Sequence, residues 1–337
     1  MNAEKFVVMT TVNRPGKAAA RFAQWEDWQT VVIGDRKTPE PWECEGATYI
    51  GLDGQHEICG EFSGAVPEGS YARKMIGYVF AMRNGATAIF DTDDDNVPYL
   101  AATGIIETEL WDHGCRLHYE GRRPGIGQRW LNVYGLFGAS HCWPRGFPPE
   151  CVKGFGYRIE RRCENRYRAV VQFLVDGEPD TDAIYRLTNG KPVNFERGRG
   201  YVLDYDVYCS INSQATLWKP EAFPLMFLPV GVSDRVTDIL RGYIAQVAIH
   251  KTGDVIGYHS PIVFQVRNPH DLLKDFEEEL PLYRNASRWM DALLELPGES
   301  RISLFRAALR KLVEIGAIPE LNVGLYEMFL KVAGIEV

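Results

Sequence analysis

The chain has 337 residues, with 37 Lys+Arg against 45 Asp+Glu, a formal net charge of −8, 45% apolar and 24% charged residues. That mix is globular rather than disordered, and the length suits one large α/β domain or two modest ones. An acidic balance with no lysine-rich block excludes a dedicated nucleic-acid binder, because phosphate neutralisation needs clustered positive charge.

In chain order, Phe6–Thr11 is a continuous apolar and β-branched run that ends at Asn13-Arg14-Pro15-Gly16, the pattern of a buried parallel strand feeding a loop. Ala18–Trp28 has helical character. Thr30–Gly34 reads as a second strand that stops at Asp35-Arg36-Lys37, and residues 38–69 hold many turn formers and one short strand, Thr48–Leu52. The clearest helix is Tyr71–Arg83. Ser70 suits an N-cap, Ala72, Met75, Ile76, Val79 and Phe80 share a face, and Asn84-Gly85 supplies a left-handed stop. Ala88–Phe90 is then a short strand that empties into Asp91-Thr-Asp-Asp-Asp-Asn96.

Residues 105–210 mix strands with loops rich in Gly, Pro and Trp. The most apolar later stretch, Ala222–Val232, is broken by Pro224 and Pro229 and is too short to span a bilayer. From Asp271 the pattern is helical: Asp271–Leu280, Asn285–Leu294, Ile302–Ile315 and Leu321–Val332. The N-terminus has only four consecutive apolar residues, too few for a signal-peptide core. Seven cysteines with no C-x-x-C pair indicate neither a disulfide framework nor a zinc knuckle. These features predict a cytoplasmic chain with no transmembrane segment.

Asp91, Asp93, Asp94 and Asp95 fall at the C-terminal end of a strand, where open α/β sheets place their ligand sites. Carboxylates this close repel one another and call for a cation or strong donors. Hard divalent cations take oxygen ligands, and Mg²⁺ commonly uses one or two carboxylates plus substrate phosphates. An EF-hand is excluded, since Asn96 stands where its glycine belongs and Ala102 where its glutamate belongs. Arg73 and Lys74, at the start of the preceding helix, could hold a diphosphate together with the helix's positive pole. Arg14 and Asp35 each follow a predicted strand on the same sheet edge, which suits a base and ribose pocket. No P-loop, G-x-S-x-G or H-E-x-x-H motif competes, and Gly154-Phe-Gly156 lacks the third glycine of a dinucleotide fingerprint. The seven histidines, at 56, 113, 118, 141, 250, 259 and 270, show no metal-site spacing.

Several motifs occur in a telling order. They are Ile33–Pro39, Tyr71–Tyr78, Gly85–Asp94, Trp143–Pro148, Glu178–Thr188, Asn212-Ser-Gln214 and Val232–Gln246. Over most of residues 5–275 this order resembles the STELLO-type glycosyltransferase-like proteins, with a more distant likeness to the reversibly glycosylated polypeptides, which are nucleotide-sugar mutases. The resemblance implies a GT-A fold: a Rossmann-like mixed α/β sheet flanked by helices that binds a nucleotide-diphospho-sugar, here over residues 1–265, with a helical C-terminal extension over 266–337. It further implies that Asp91 and Asp93 are the D-x-D pair chelating Mn²⁺ or Mg²⁺, extended by Asp94 and Asp95, and that His259 is a third metal ligand.

The same resemblance places Asp238 where an acidic residue faces the acceptor and deprotonates its hydroxyl; an N-cap is the equally open reading of that position. In this picture Arg235 and Arg241 either serve the diphosphate or pair with nearby acids, and Trp143, Arg145 and Phe147 either floor a sugar or belong to the core. The implied donor is a UDP- or GDP-sugar, the acceptor a glycan or other hydroxyl, and the transfer inverting. A nucleotide-sugar mutase and a non-catalytic scaffold are the competing readings. The plant members are Golgi membrane proteins linked to cellulose synthase. No such anchor is expected in this chain, so neither location nor partner is expected to carry over.

Overall fold

The computed structural model describes residues 4–111, 116–120, 129–153, 158–162, 168–203, 205, 207–268 and 271–336, with the backbone alone for 108–111, 116–120 and 158–162. The predicted features at His113, Cys115, Gly154-Phe-Gly156, Cys163 and His270 lie outside the described residues. No disulfide forms among the described cysteines.

Strands β1 (Lys5–Thr10), β2 (Trp28–Ile33), β3 (Ala47–Ile50), β4 (Ala88–Thr92) and β5 (Asn96–Pro98) come from the first third of the chain. They are followed by β6 (Arg116–Glu120), β7 (Arg158–Arg162), β8 (Val170–Gly177), β9 (Gly200–Leu203), β10 (Ala215–Trp218) and β11 (Ile256–Gln265). All join one mixed sheet in the order β3-β2-β1-β4-β10-β8-β11-β9-β6-β7, with β5 pairing β11. The β3-β2-β1-β4 half is parallel; β10 enters antiparallel to both β4 and β8.

Side chains alternate across the pleat and so divide the core in two. Phe6, Val8, Val31, Ile33 and Ile89 face one layer, while Val7, Met9, Val32, Ala88 and Phe90 face the other. Burial on both faces is why β1 reads as an unbroken apolar run.

The helices are α1 (Lys17–Phe22), α2 (Leu52–Cys59), α3 (Glu61–Ala65), α4 (Lys74–Arg83), α5 (Ala102–Trp111) and α6 (Val133–Leu136). Beyond them lie α7 (Ala183–Thr188), α8 (Thr237–Lys251), α9 (Leu272–Leu294), α10 (Arg301–Glu314) and α11 (Leu321–Val332). Tyr71–Arg73 forms a single 3₁₀ turn ahead of α4, capped by Ser70, whose Oγ accepts from Ala72 N. The predicted 71–83 helix is therefore present with a tightened first turn.

Three elements differ from the sequence expectation. The first helix stops at Phe22 rather than Trp28. Residues 52–65, expected as turns, carry α2 and α3, separated by Gly60 at φ +51. Tertiary burial holds these short helices: Phe62 is fully buried, and Gln55 Nε2 donates to Gly34 O and Ile50 O. Residues 272–294 form one helix through Pro281, with Asn285 Nδ2 donating to Pro281 O at 2.9 Å and an apolar stripe running past it through Leu282, Ala286, Trp289 and Leu293.

Among the described residues no helix is long and apolar enough to cross a membrane. The architecture is the mixed, helix-flanked α/β sheet with a helical C-terminal part expected of a GT-A-like fold.

Candidate active site

The C-terminal ends of β1, β2 and β4 open onto a cleft of about 410 Å³, within the size range of small-molecule sites. Thr10, Thr11 and Asn13 line it after β1, Asp35 after β2, Gly69–Tyr71 before α4, and Asp93–Asp95 after β4. The far wall is Arg145, Asp180, Gln214, Asp234, Arg235 and Asp238, joined by Gln265, Arg267 and Asn268 at the end of β11. Seven aspartates face four basic side chains here, so the cleft carries excess negative charge.

Asp91 is not on this surface. It lies inside β4, in register with Val8 of β1 and Thr216 of β10, and is wholly buried. Lys74 Nζ sits 2.8 Å from its Oδ1 and Arg241 Nη1 3.0 Å from its Oδ2. Both its oxygens are engaged by cations, and it lies away from the cleft surface where the first D-x-D aspartate was expected.

The carboxylates that reach the cleft are two residues further on. Asp93 Oδ1 accepts from Tyr71 Oη at 2.5 Å and from Lys74 Nζ at 3.0 Å. Asp94 ties loops together: Oδ2 accepts from Thr11 Oγ1 and Asn13 Nδ2, and Oδ1 from Asn268 Nδ2 at 3.4 Å. Asp95 Oδ2 accepts from Gln265 Nε2 at 3.0 Å, whereas its Oδ1 is buried with no hydrogen-bond partner. Burial, with Asp93 and Asp94 beside it, pushes the Asp95 carboxyl up to about 6, and burial likewise raises Asp93. For Lys74, burial would lower the ammonium, but Asp91 and Asp93 outweigh it and hold it above its ordinary value.

On the far wall Arg145 is a buried clasp. Its Nε and Nη2 meet Asp180 at 2.8 and 2.7 Å, and its Nη1 and Nη2 each lie 3.0 Å from an oxygen of Asp238. Asp238 also accepts from Ser213 N and Ile239 N. The residue expected to deprotonate an acceptor thus has both oxygens occupied. Burial opposes ionisation of Asp180, yet Arg145 and Arg235 hold its carboxyl down to about 2. Arg235 pairs with Glu279 at 2.5 Å. Arg267 donates to Glu178 O and Gln265 Oε1; burial, and then Arg235 and Arg186 as like charges, lower its guanidinium from the ordinary value.

The other predicted residues distribute as follows. Asp35 lines the cleft, but its Oδ2 accepts from Gly69 N and Ser70 N and its Oδ1 from Arg36 N, so it fixes the loop that leads into Tyr71. Arg73 faces inward, donating to Gln55 Oε1, Ser63 O and Val66 O, and does not line the cleft. Arg14 is exposed and does not line the cleft. His259, expected on a metal, lies outside the cleft lining, half-buried with its ring 5.4 Å from Phe173. Trp143 donates to Asp182 and Phe147 packs edge-on against Trp130, so of that loop only Arg145 reaches the cleft. Arg241 is fully buried over the Trp218 ring. Tyr71, Asp180, Asp234, Gln265 and Arg267 were not singled out by sequence. The available signal was strand register: a parallel β4 beside Thr10-ending β1 puts the strand tip at Thr92 and the ligand-facing row at 93–95.

A divalent cation was expected here, and the donor chemistry accommodates one. Asp95 offers an unpartnered buried oxygen beside two further carboxylates, all hard donors, in a cleft short of positive charge. Among the described residues no group of three or more His, Cys, Asp or Glu is arranged to hold a metal. An ion at Asp93 and Asp95 would therefore need oxygens from a ligand to complete its shell.

Residues 235–333 match the family model of STELLO glycosyltransferases. Over 305 residues the chain is 29% identical to the probable glycosyltransferase STELLO2 of Arabidopsis thaliana, covering 86% of this chain and 39% of that protein. The chain is similar to the STELLO glycosyltransferases. Against the probable glycosyltransferase STELLO1 of the same plant it is 28% identical over 318 residues, covering 91% of this chain and 41% of that protein. The chain spans about two fifths of the length of the curated relatives it matches. The matched family segment begins at Arg235 and so includes Asp238, Arg267 and the three C-terminal helices, running across the 265/266 boundary expected from sequence.

Proposed function

We propose that the chain is a metal-dependent glycosyltransferase that moves a sugar from a nucleotide-diphospho-sugar to an acceptor hydroxyl. The observation that carries this reading is the Asp93–Asp95 row at the mouth of β4, with an unpartnered buried oxygen on Asp95. Relationship to probable glycosyltransferases supports it.

Asp93 and Asp95 would hold Mn²⁺ or Mg²⁺ with the donor's phosphate oxygens. Such an ion supplies Lewis-acid stabilisation of the charge that builds on the departing diphosphate. The chain's own side chains prepare the place. Tyr71 and Lys74 fix one oxygen of Asp93, Gln265 fixes one of Asp95, and neither carboxylate must reorient when the donor arrives. Arg267 and Arg235 bring positive charge to the opposite wall, where a dianionic leaving group would gain from it.

Calorimetric titration with UDP and with GDP, each with and without Mn²⁺, tests the reading. Binding of one nucleotide that strengthens at least tenfold with Mn²⁺, and loses that gain in Asp95→Asn, is the expected result. Metal-independent or absent binding in the wild type would overturn it.

A further inference from the structure

We infer that Asp234, not Asp238, is the base that accepts the acceptor hydroxyl's proton; this rests on the glycosyltransferase reading above. Of the aspartates lining the cleft, Asp180 and Asp238 have both oxygens clasped by Arg145, and both oxygens of Asp35 accept from backbone N–H groups. Asp94 is spent on loop contacts, and Asp93 and Asp95 belong to the donor side. Asp234 differs from the clasped and loop-bound ones and lies away from the donor-side pair. Its Oδ1 accepts from Tyr71 N at 2.9 Å and Ser70 Oγ at 3.4 Å, while its Oδ2 accepts no hydrogen bond and pairs with no Lys, Arg or His among the described residues.

Placement gives the second argument. Tyr71 donates through its backbone N–H to Asp234 and through its hydroxyl to Asp93. One side chain therefore sets the distance between the donor-side carboxylate and the free oxygen of Asp234, at opposite ends of a tyrosine. Asp234 is exposed on the cleft wall, yet partial desolvation there, with Glu278 and Asp238 adding, raises its carboxyl above the ordinary range, which makes it a better proton acceptor than an unperturbed aspartate.

The step balances as a single displacement. The acceptor oxygen bonds to the anomeric carbon as the bond from that carbon to the diphosphate oxygen breaks. The hydroxyl proton passes to Asp234 Oδ2, and the bonding pair leaves with the nucleoside diphosphate.

The test uses the whole chain with Mn²⁺ and a panel of UDP-glucose, UDP-galactose, UDP-xylose and GDP-mannose, with water as the acceptor and release of nucleoside diphosphate as the signal. Asp234→Asn keeps an oxygen for Tyr71 N, so it should fold and bind nucleotide within about threefold of wild type while kcat falls about 100-fold or more. Azide needs no deprotonation, so it should restore turnover in Asp234→Asn and in Asp234→Ala, giving the glycosyl azide. Asp234→Asn at wild-type kcat overturns the assignment, as do loss of nucleotide binding along with turnover, failure of azide to rescue, and misfolding of both variants. A wild type that binds nucleotide with Mn²⁺ yet depends on Asp238→Asn rather than Asp234→Asn returns the role to Asp238. A wild type that neither binds nor turns over any donor fails the glycosyltransferase reading itself and takes this assignment with it.

Discussion

Asp180 and Asp182 sit two residues apart and titrate in opposite senses, because a guanidinium clasps one while burial outweighs the donors around the other. Asp180 accepts two bonds from Arg145 and its carboxyl is held down to about 2, while burial pushes Asp182 up to about 6 although Trp143 Nε1 and Tyr185 N donate to it. An unfolded aspartate titrates near ~3.9. Asp180 therefore contributes stability above pH ~4 that is lost as pH falls toward 2, and Asp182 contributes stability below pH ~4 that is lost as pH rises through about 6. Each swing amounts to about 2–3 kcal/mol at one pKa unit per ~1.4 kcal/mol. Urea unfolding from pH 2 to 7 should show a steep acid limb that flattens in Asp180→Asn. It should also show a decline between pH 4 and 6 that becomes shallower in Asp182→Asn, the remainder belonging to Asp95. A profile unchanged by either substitution would contradict these environments. Trp143 is the reporter of choice, since its indole bonds the titrating carboxyl.

At the scale of elements, α4 lies directly on the β1–β2 surface, and Gly77 is what permits it. A methyl group there would meet Val8 Cγ1 at 2.5 Å and Ile33 Cγ1 at 3.0 Å, both fully buried strand residues that have nowhere to move. Gly77→Ala gains helix propensity of about 1 kcal/mol but forces α4 off the sheet at a cost of about 1–3 kcal/mol. We expect a net loss of stability, and a weaker Mn²⁺-dependent nucleotide affinity, because Lys74 and Tyr71 ride on the same turn and hold Asp93. A Gly77→Ala protein with raised melting temperature would show that the contact relaxes freely.

How much of this was legible in the sequence follows from what each residue's pattern encodes. β1 and α4 were plain, because one is an unbroken apolar run and the other has a cap, a stripe and a Gly stop in the right places. The segment 52–65 was not, since its helices are short and owe their existence to Phe62 and Gln55 being buried by distant residues. Pro281 suggested two helices where there is one, a local rule overridden by a continuous buried face. The acidic cluster was visible, but which of its members turn outward depends on where β4 ends, and that is set by pairing with β1 and β10. Asp234 carried no signal of its own; its free oxygen exists only in relation to Tyr71 and to the clasped Asp180 and Asp238.

Over the whole molecule the issue is whether residues 266–337 form a separate unit. The segment 222–230 is a buried apolar floor, and α10 and α11 cover it: Phe227 meets Tyr326 at 5.4 Å and Phe305 at 6.2 Å, and Phe62 of α3 meets Phe329 at 6.0 Å. Polar contacts cross the same seam. Asn322 accepts from Val230 N at 2.7 Å and donates to Val230 O at 3.0 Å, while Tyr326 Oη donates to Pro224 O. Stripping these helices would expose several large apolar side chains worth about 1.5–3 kcal/mol each, comparable with the ~5–15 kcal/mol stability of a typical domain. The sheet and the C-terminal helices should thus unfold together, giving one calorimetric transition with equal calorimetric and van't Hoff enthalpies. Asn322→Ala should lower that single transition, at a cost of about 1–3 kcal/mol for two backbone groups left unpaired, without splitting it. Two resolved transitions, only one of them moved by Asn322→Ala, would make the helices an independent unit and remove them from the support of the cleft.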